Sequence, residues 1–504
     1  MSSHVPLSAD PSTLDDVLSV AHGASVELTE DALAVIQDSR RVVDDAVARG
    51  EAVYGVTTGL GHARNERLPA QALIELQPLF VAMHLGAIGD PLRVEVVRGA
   101  MAVRAIGFVR GGAGVSLGLV DGLIGLLNNG ITPVVPRQGS VGAGDLSQMA
   151  IVGQALLGLG DVDVDGRRLP AGQALTEAGL APVAMQPKDG LAIVAGNAVS
   201  LAAGILVIDR LRWLLRLADL VVAVGMETTN GNPSIVDPAV AGVRGSPGQI
   251  ATSTAIREAL DGSISTSSQA GLSVQDPLTL RVVPQVHGAC RDVVEACAAA
   301  LLAELNAPSD NPMVDRASGR LISNGNFHPM QVALGFESVR VALGHVGLLA
   351  ERRMGHLWDA VVAGFDPGAP PPAVQDGDGG MPPHFAGLNL RYAAAARYTR
   401  LRALAQPVTL DVPVLDLGVE DHAPNTLESV WATDEAADVL EQLLAIELLI
   451  AVVGLMDPGV RTGLGRGTAE LVDQVHAALA DVVPGTPPND ILGLVITRLR
   501  EALS

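Results

Sequence analysis

The sequence predicts a mainly α protein, with a long central helical bundle and C-terminal helices over 201–504 and a smaller, loop-rich α+β domain over 1–200. Three observations predict this. Apolar residues recur at helical spacing in long segments, several of them apolar nearly all round, as buried bundle helices are. Strand signals are short and scattered, as at Ile131–Val135. Polar, glycine-rich loops separate the helical segments, and 504 residues suffice to bury a large core.

Taken in order, Asp31–Gly50 places Val35, Ile36, Val43 and Val47 on one face, with Thr29 as the expected N-cap and Gly50 as the stop. Leu201–Met226, Pro284–Asn306, Gln331–Leu357, Arg391–Ala405 and Asp434–Met456 read as long helices. Asp457-Pro-Gly459 ends the last of these, and Asn489–Leu503 reads as a terminal amphipathic helix. The intervening loops are Tyr54–Asn65, Gln138–Ser147, Asn230–Gln249, Ser263–Pro277, Ala307–Phe327 and Pro367–Leu388. Long loops with specific polar residues between rigid helices are where chemistry usually sits. Pro367–Pro383, rich in Pro, Gly and Asp, is expected to be a surface excursion or lid.

Composition excludes several function classes. With 33 Lys and Arg against 55 Asp and Glu, the net charge of −22 argues against a nucleic-acid-binding surface. Cys290 and Cys297 are seven apart, a spacing that returns to one helix face, so buried positions are expected rather than a disulfide or a metal site. Met1–Val17 has neither a basic start nor an apolar block, so no signal peptide is expected. The apolar run Leu443–Met456 is interrupted by Glu447 and is too short to span a bilayer. The expectation is a cytoplasmic protein without a membrane partner.

One motif stands out. Gly139-Ser-Val-Gly-Ala-Gly-Asp-Leu-Ser-Gln-Met149 resembles the Gly-Ser-Val-Gly-Ala-Ser-Gly-Asp-Leu signature of the histidine and aromatic amino-acid ammonia-lyases. Further segments follow in that family's order: Tyr54-Gly-Val-Thr-Thr-Gly-Leu-Gly61, Leu76-Gln77 with His84, Lys188-Asp-Gly-Leu-Ala-Ile193, and Val274-Gln-Asp276 with Arg281. Pro284-Gln-Val-His-Gly288, Asp310-Asn-Pro312, Asn324-Gly-Asn-Phe-His328 and Glu420-Asp-His422 complete the series. The resemblance covers roughly residues 50–425 and implies an ammonia-lyase-like fold and a homotetramer.

In that family an Ala-Ser-Gly tripeptide cyclises and dehydrates into methylidene-imidazolone, a protein-derived electrophile. Here the run Gly142-Ala143-Gly144-Asp145 is one residue short of the family's Gly-Ala-Ser-Gly-Asp and lacks the serine, so the expectation is no cofactor. Ser140 is a poor substitute, because β-branched Val141 rather than an unhindered Gly follows it. Three other departures accompany this one. Ala195 stands where the family's Asn-Gly-Thr has its Asn, Leu278 where it has an active-site Tyr, and Val419 where it has the Gln before Glu-Asp-His.

The remaining residues carry recognisable chemistry. A tyrosine in a glycine-rich loop can act as a general base when neighbouring dipoles stabilise the phenolate, and the resemblance gives Tyr54 that role. Arg281 suits bidentate recognition of a carboxylate, the family's use for it, although an ion pair with Asp276 is the structural alternative. His84 sits in register with the family's substrate-side His. Glu420 is a candidate proton-relay or amine-binding carboxylate, or else a helix-start carboxylate. Phe327, Asn311 and Leu278 are expected to shape the pocket.

The functional expectation is acid–base lyase, cyclase or isomerase chemistry on a small carboxylate-bearing or amino-acid-derived substrate, with ordinary histidine or phenylalanine ammonia-lyase activity lost. The alternative is a non-catalytic relative that binds a small molecule or serves as a regulatory or structural subunit.

Overall fold

Long helices dominate the computed structural model, which describes residues 4–69, 71–264, 274–363, 388–410, 412–455, 463–483 and 486–503. The expected segments are met by Ala198–Thr229, Val283–Leu305, Met330–Ala363, Leu388–Leu404, Thr426–Gly454 and Pro488–Ala502. The fold is mainly α, and its described strands are few and short. Pro367–Pro383 and the break at Asp457-Pro-Gly459 lie outside the described residues, as does much of the Ser263–Pro277 loop.

One expectation needs correction and another is refined. The helix expected from Asp434 begins at Thr426. Its first two turns carry Thr426, Ser429 and Thr433, all buried, so polar residues on the inner face hid the apolar period. The Ser429 hydroxyl donates to the carbonyl of Ala333 at 3.2 Å. At the other site, Thr29 does stand at the N-cap of helix Glu30–Ala48, but its side chain makes no capping bond. Its hydroxyl instead donates to Leu7 O at 3.0 Å, which ties the helix start to the parallel strand pair His4–Leu7 and Ser25–Leu28.

The chain forms two compact units that are discontinuous in sequence. The first comprises Met1–Ile208, Cys297–Phe336 and Pro407–Trp431. Besides the parallel pair it holds three small antiparallel arrangements: Ile88–Pro91 with Pro136–Gln138; Thr132–Pro133, Asp161–Val164 and Arg167–Pro170; and Met313–Asp315 with Arg320–Ile322. One apolar cluster joins Val42, Val43 and Ala46 to Val53, Val56 and Val314, which seats the loop after Val53 on packed residues. Helix Val94–Val109 is buried over most of its length, and the buried Arg98 donates to the carbonyls of Val20, Ala24 and Leu127.

The second unit comprises Asp209–Ala296, Glu337–Gln406 and Ala432–Ser504. Its core includes Val222, Met226, Ile256, Leu280, Val283 and Leu349. Arg353 and Glu447 form a buried ion pair at 2.6 Å, at 1% and 0% side-chain exposure. Arg210 pairs with Asp434, Asp438 and Glu441. Cys290, of this unit, and Cys297, of the first, are free and buried, as the spacing predicted, and burial pushes both thiols up to about 12. Two described helical stretches, Asp189–Thr229 and Met330–Asp359, are long and apolar enough to cross a membrane. Most of the first is buried within the protein, as in a core helix.

Candidate active site

The glycine-rich motif makes a tight loop leading into helix Leu146–Leu156, with Asp145 at the N-cap position. Gly142 and Gly144 have φ of +83° and +96°, a region that side-chain-bearing residues rarely adopt. A Cβ on Gly142 would lie 2.4 Å from the amide nitrogen of Thr426, so only glycine admits this approach. Asn425 N–H donates to Val141 O at 2.8 Å, which fastens the loop to the start of helix Thr426–Gly454.

Asp145 is fully buried and organises the loop from below. Its carboxylate accepts from the Ser140 hydroxyl (2.7 Å), the Ser200 hydroxyl (2.8 Å) and the Ser200 amide (2.7 Å). Burial raises its pKa, and these hydrogen bonds pull it back down. Ser140 is therefore committed to a structural bond. Ala143-Gly144 offers no hydroxyl to dehydrate, so the residues present do not fit the methylidene-imidazolone that the resemblance implies.

Behind the loop lies a buried charged layer. Lys188, fully buried and at φ +82°, donates from Nζ to Ala113 O. Burial drives its pKa down from 10.5 to about 8, against the opposing pull of Asp310. Arg104 pairs with Asp310 at 2.6 Å and also donates to Ala192 O. Asp189 accepts from the Ser116 amide and hydroxyl and from the Gln186 amide. The Lys188-Asp-Gly motif thus holds the scaffold rather than supplying reacting groups.

Around this loop the first unit assembles most of the expected side chains. Tyr54 is half-buried, and its hydroxyl oxygen accepts from Gly61 N–H at 3.2 Å. Gly61, at φ +53°, lies beside the Asp416 carboxylate, and a Cβ there would fall 2.2 Å from Asp416 Oδ2. His62 Nδ1 meets Asp416 Oδ1 at 3.0 Å, so the Tyr54 loop abuts the turn Asp416–Gly418. That turn is closed by a bridge between Leu415 and Glu420. Glu420 is thereby fixed by a strand-like bridge and not by a helix start, which corrects the structural alternative offered for it. Its pKa is raised by burial and by Asp416, and His84 works in the opposite direction. His84 itself is fixed by Nδ1 against Phe80 O at 2.6 Å.

Two residues beyond Glu420, His422 Nδ1 lies 3.0 Å from His328 Nε2. Desolvation and the neighbouring His422 both lower the pKa of His328. The adjacent Phe327 is anchored through its carbonyl, which accepts from Asn197 Nδ2 at 2.8 Å, and Asn197 Oδ1 accepts from Gly144 N–H at 3.1 Å. Contacts therefore run from the Gly142–Gly144 loop through Asn197 and Phe327–His328 to His422 and Glu420. Tyr54 and His84 flank the far end. Asn311 is occupied in holding a turn, with its Oδ1 accepting from Asn324 N–H at 3.1 Å.

Arg281 and Leu278 belong to the second unit, where they bound the short helix Leu278–Arg281. Leu278 is exposed there. The guanidinium of Arg281 lies against the side-chain amide of Gln275. The ion pair with Asp276 suggested from sequence is replaced by another bond, because Asp276 Oδ2 accepts from Asn232 N–H at 2.7 Å.

Asn197, His328, His422, Asp416 and His62 were not singled out in the sequence. The two histidines stood inside the quoted Asn-Phe-His and Glu-Asp-His segments, and Asn197 inside Ala195-Gly196-Asn197, the counterpart of the family's Asn-Gly-Thr. Asp416 and His62 carry no sequence signal, since their partnership joins positions far apart along the chain.

The sequence pattern described as aromatic amino acid lyase matches residues 12–477. A histidine ammonia-lyase from Anaeromyxobacter sp. (strain K) is 36% identical over 490 residues, covering 95% of this chain and 94% of that protein. One from Streptococcus gordonii is 33% identical, covering 93% and 90% of the two chains. Among solved structures, the ergothioneine-degrading enzyme ergothionase from Treponema denticola superposes with a TM-score of 0.91 at 26% identity, covering 99% of each chain. Histidine ammonia-lyase from Trypanosoma cruzi gives 0.86 at 26% identity, covering 99% of this chain and 94% of that one.

These relatives overturn the functional expectation drawn from the missing serine. Neither cyclase or isomerase chemistry on an unspecified carboxylate nor a non-catalytic role accounts for proteins named histidine ammonia-lyase matching over nine-tenths of the chain. The altered loop is a single departure among many segments that remain in register with the family. On the match across its length and on its fold, this chain belongs to the aromatic amino acid lyase family.

Proposed function

We propose that this chain is a carbon–nitrogen lyase that eliminates the amine from a histidine-class amino acid, with histidine itself as the first substrate to test. The observation that carries this reading is the 36% identity to a histidine ammonia-lyase over 95% of the chain. The arrangement around Tyr54 and Glu420 supports it.

The chemistry asked of these residues is a β-elimination. Tyr54 removes a proton from the carbon bearing the ring, the electron pair forms the carbon–carbon double bond, and the carbon–nitrogen bond breaks with its pair leaving on the amine. Glu420, whose carboxyl lies above the ordinary carboxylate range, is the candidate proton relay at the departing nitrogen. His84 lies on the Glu420 side and is the candidate to orient the substrate. Arg281 is the candidate for the substrate carboxylate.

A second reading concerns the leaving group. Ergothioneine is a thiol-bearing trimethyl betaine of histidine, and a trimethylammonium group leaves more readily than ammonia. The absence of a serine in Gly142-Ala143-Gly144 and the likeness to the ergothioneine-degrading enzyme both favour a substrate of this kind.

The test is direct. Elimination from either compound conjugates the new double bond with the ring, giving a near-ultraviolet absorber, and it releases ammonia or trimethylamine. Incubation with histidine and with ergothioneine, following absorbance and the released amine, separates the two substrates. If neither compound yields absorber and amine, the elimination reading fails. We further propose a homotetramer acting in the cytoplasm.

A further inference from the structure

In this chain the amide that would close a ring at the glycine-rich loop is already engaged. Gly144 N–H donates to Asn197 Oδ1 at 3.1 Å. Asn197 is 3% exposed, and its amide nitrogen donates to Phe327 O at 2.8 Å. One side chain thus accepts from one segment and donates to another through two separate atoms, as a side-chain amide can. A threonine there would have to do both through a single oxygen, and an aspartate would be an acceptor facing a carbonyl. The backbone around Asn197 reinforces the link, since Asp145 N–H donates to Gly196 O at 2.7 Å.

We propose that Asn197 is a positioning residue that keeps Gly142-Ala143-Gly144 an open peptide, with the Gly144 amide committed to its side chain, and locks that loop to Phe327. Two changes then belong together: the loop loses its serine, and position 197 gains an amide that occupies the nitrogen a cyclisation would use. The loop serves as a rigid wall of the site. Through Phe327 and His328, Asn197 also sets the placement of His422 and of the Glu420 turn.

Site-resolved hydrogen–deuterium exchange on the full-length protein tests this. The Gly144 amide should be protected in the unmodified chain. It should exchange at least about ten-fold faster in Asn197→Ala, the change expected when one buried hydrogen bond of about 1.4 kcal/mol is lost. Amides in helix Leu146–Leu156 should be unchanged, which shows that the variant is folded. Asn197→Asp keeps the acceptor and loses both donors, so Gly144 should stay more protected than in Asn197→Ala. Equal exchange of Gly144 in the unmodified chain and Asn197→Ala, or identical exchange in the two variants, would overturn the proposal. So would a deficit of one water in the mass of the peptide containing Ala143, since ring closure by the Gly144 nitrogen releases one water and no serine hydroxyl is present to release a second. A kinetic arm rests on the elimination reading: Asn197→Ala should lower kcat more than it raises KM, with Asn197→Asp no better. Unmoved kinetics alongside the expected exchange would count against that reading and leave the lock intact.

Discussion

Single side chains decide the chemistry here, and Tyr54 is the most exposed to test. Its hydroxyl accepts from Gly61 N–H, and Gly61 borders the Asp416 carboxylate in the turn that leads to Glu420. Tyr54→Phe removes only the oxygen. It should reduce turnover by about 10²- to 10⁴-fold with little change in substrate binding, measured by steady-state kinetics and ligand titration. Arg281→Ala should act mainly on binding, seen as a raised KM. Lys188 offers a prediction about stability. Its folded-state pKa of about 8 lies below the ordinary 10.5, so between those values the unfolded chain keeps a proton that the folded chain has released. The contribution of this group to stability therefore rises with pH across that window, and the burial penalty is fully present below it. Denaturant midpoints compared with Lys188→Met from about pH 7 to pH 10 should show the unmodified protein gaining on the variant.

At the scale of elements, the glycine-rich loop works because it meets the head of helix Thr426–Gly454 without an intervening side chain. Gly142→Ala combines a positive φ with a Cβ 2.4 Å from a backbone nitrogen, so the backbone must move. A loss of about 1–3 kcal/mol in unfolding free energy is expected, with activity falling alongside it. Helix Leu14–Ala21 gives a control far from this loop. Its Thr13 and Asp16 form a reciprocal capping box, so Thr13→Ala should cost about 1 kcal/mol of stability and leave kcat unchanged.

At the scale of the whole molecule, buried charge is the telling feature. Arg353→Met would strand Glu447 in the core of the second unit, a change worth about 3–5 kcal/mol. Replacing both partners by apolar residues of similar size should recover most of that loss in thermal or denaturant unfolding. The proposed homotetramer predicts about four times the chain mass by light scattering at micromolar concentration. A clean monomer would contradict it.

The sequence by itself determined the helical class, the approximate span of the long helices and the segments that build the site, because helical periodicity and short motifs are local signals. Tyr54, His84, Phe327 and Glu420 stand out in the sequence as candidates for that reason. It did not reveal that helix Thr426–Gly454 starts two turns early, since its inner face there is polar. Nor did it show that Asp416 faces His62 or that Asn197 binds Gly144, pairings that join residues far apart in the chain. It also misjudged function, because a missing serine is conspicuous in a motif whereas the fit of the rest of the chain is spread over hundreds of positions. Only the tertiary structure decided which polar groups are already satisfied. That is what separates Ser140, bound to Asp145, and Lys188, buried against Ala113, from the side chains grouped around Tyr54 and Glu420.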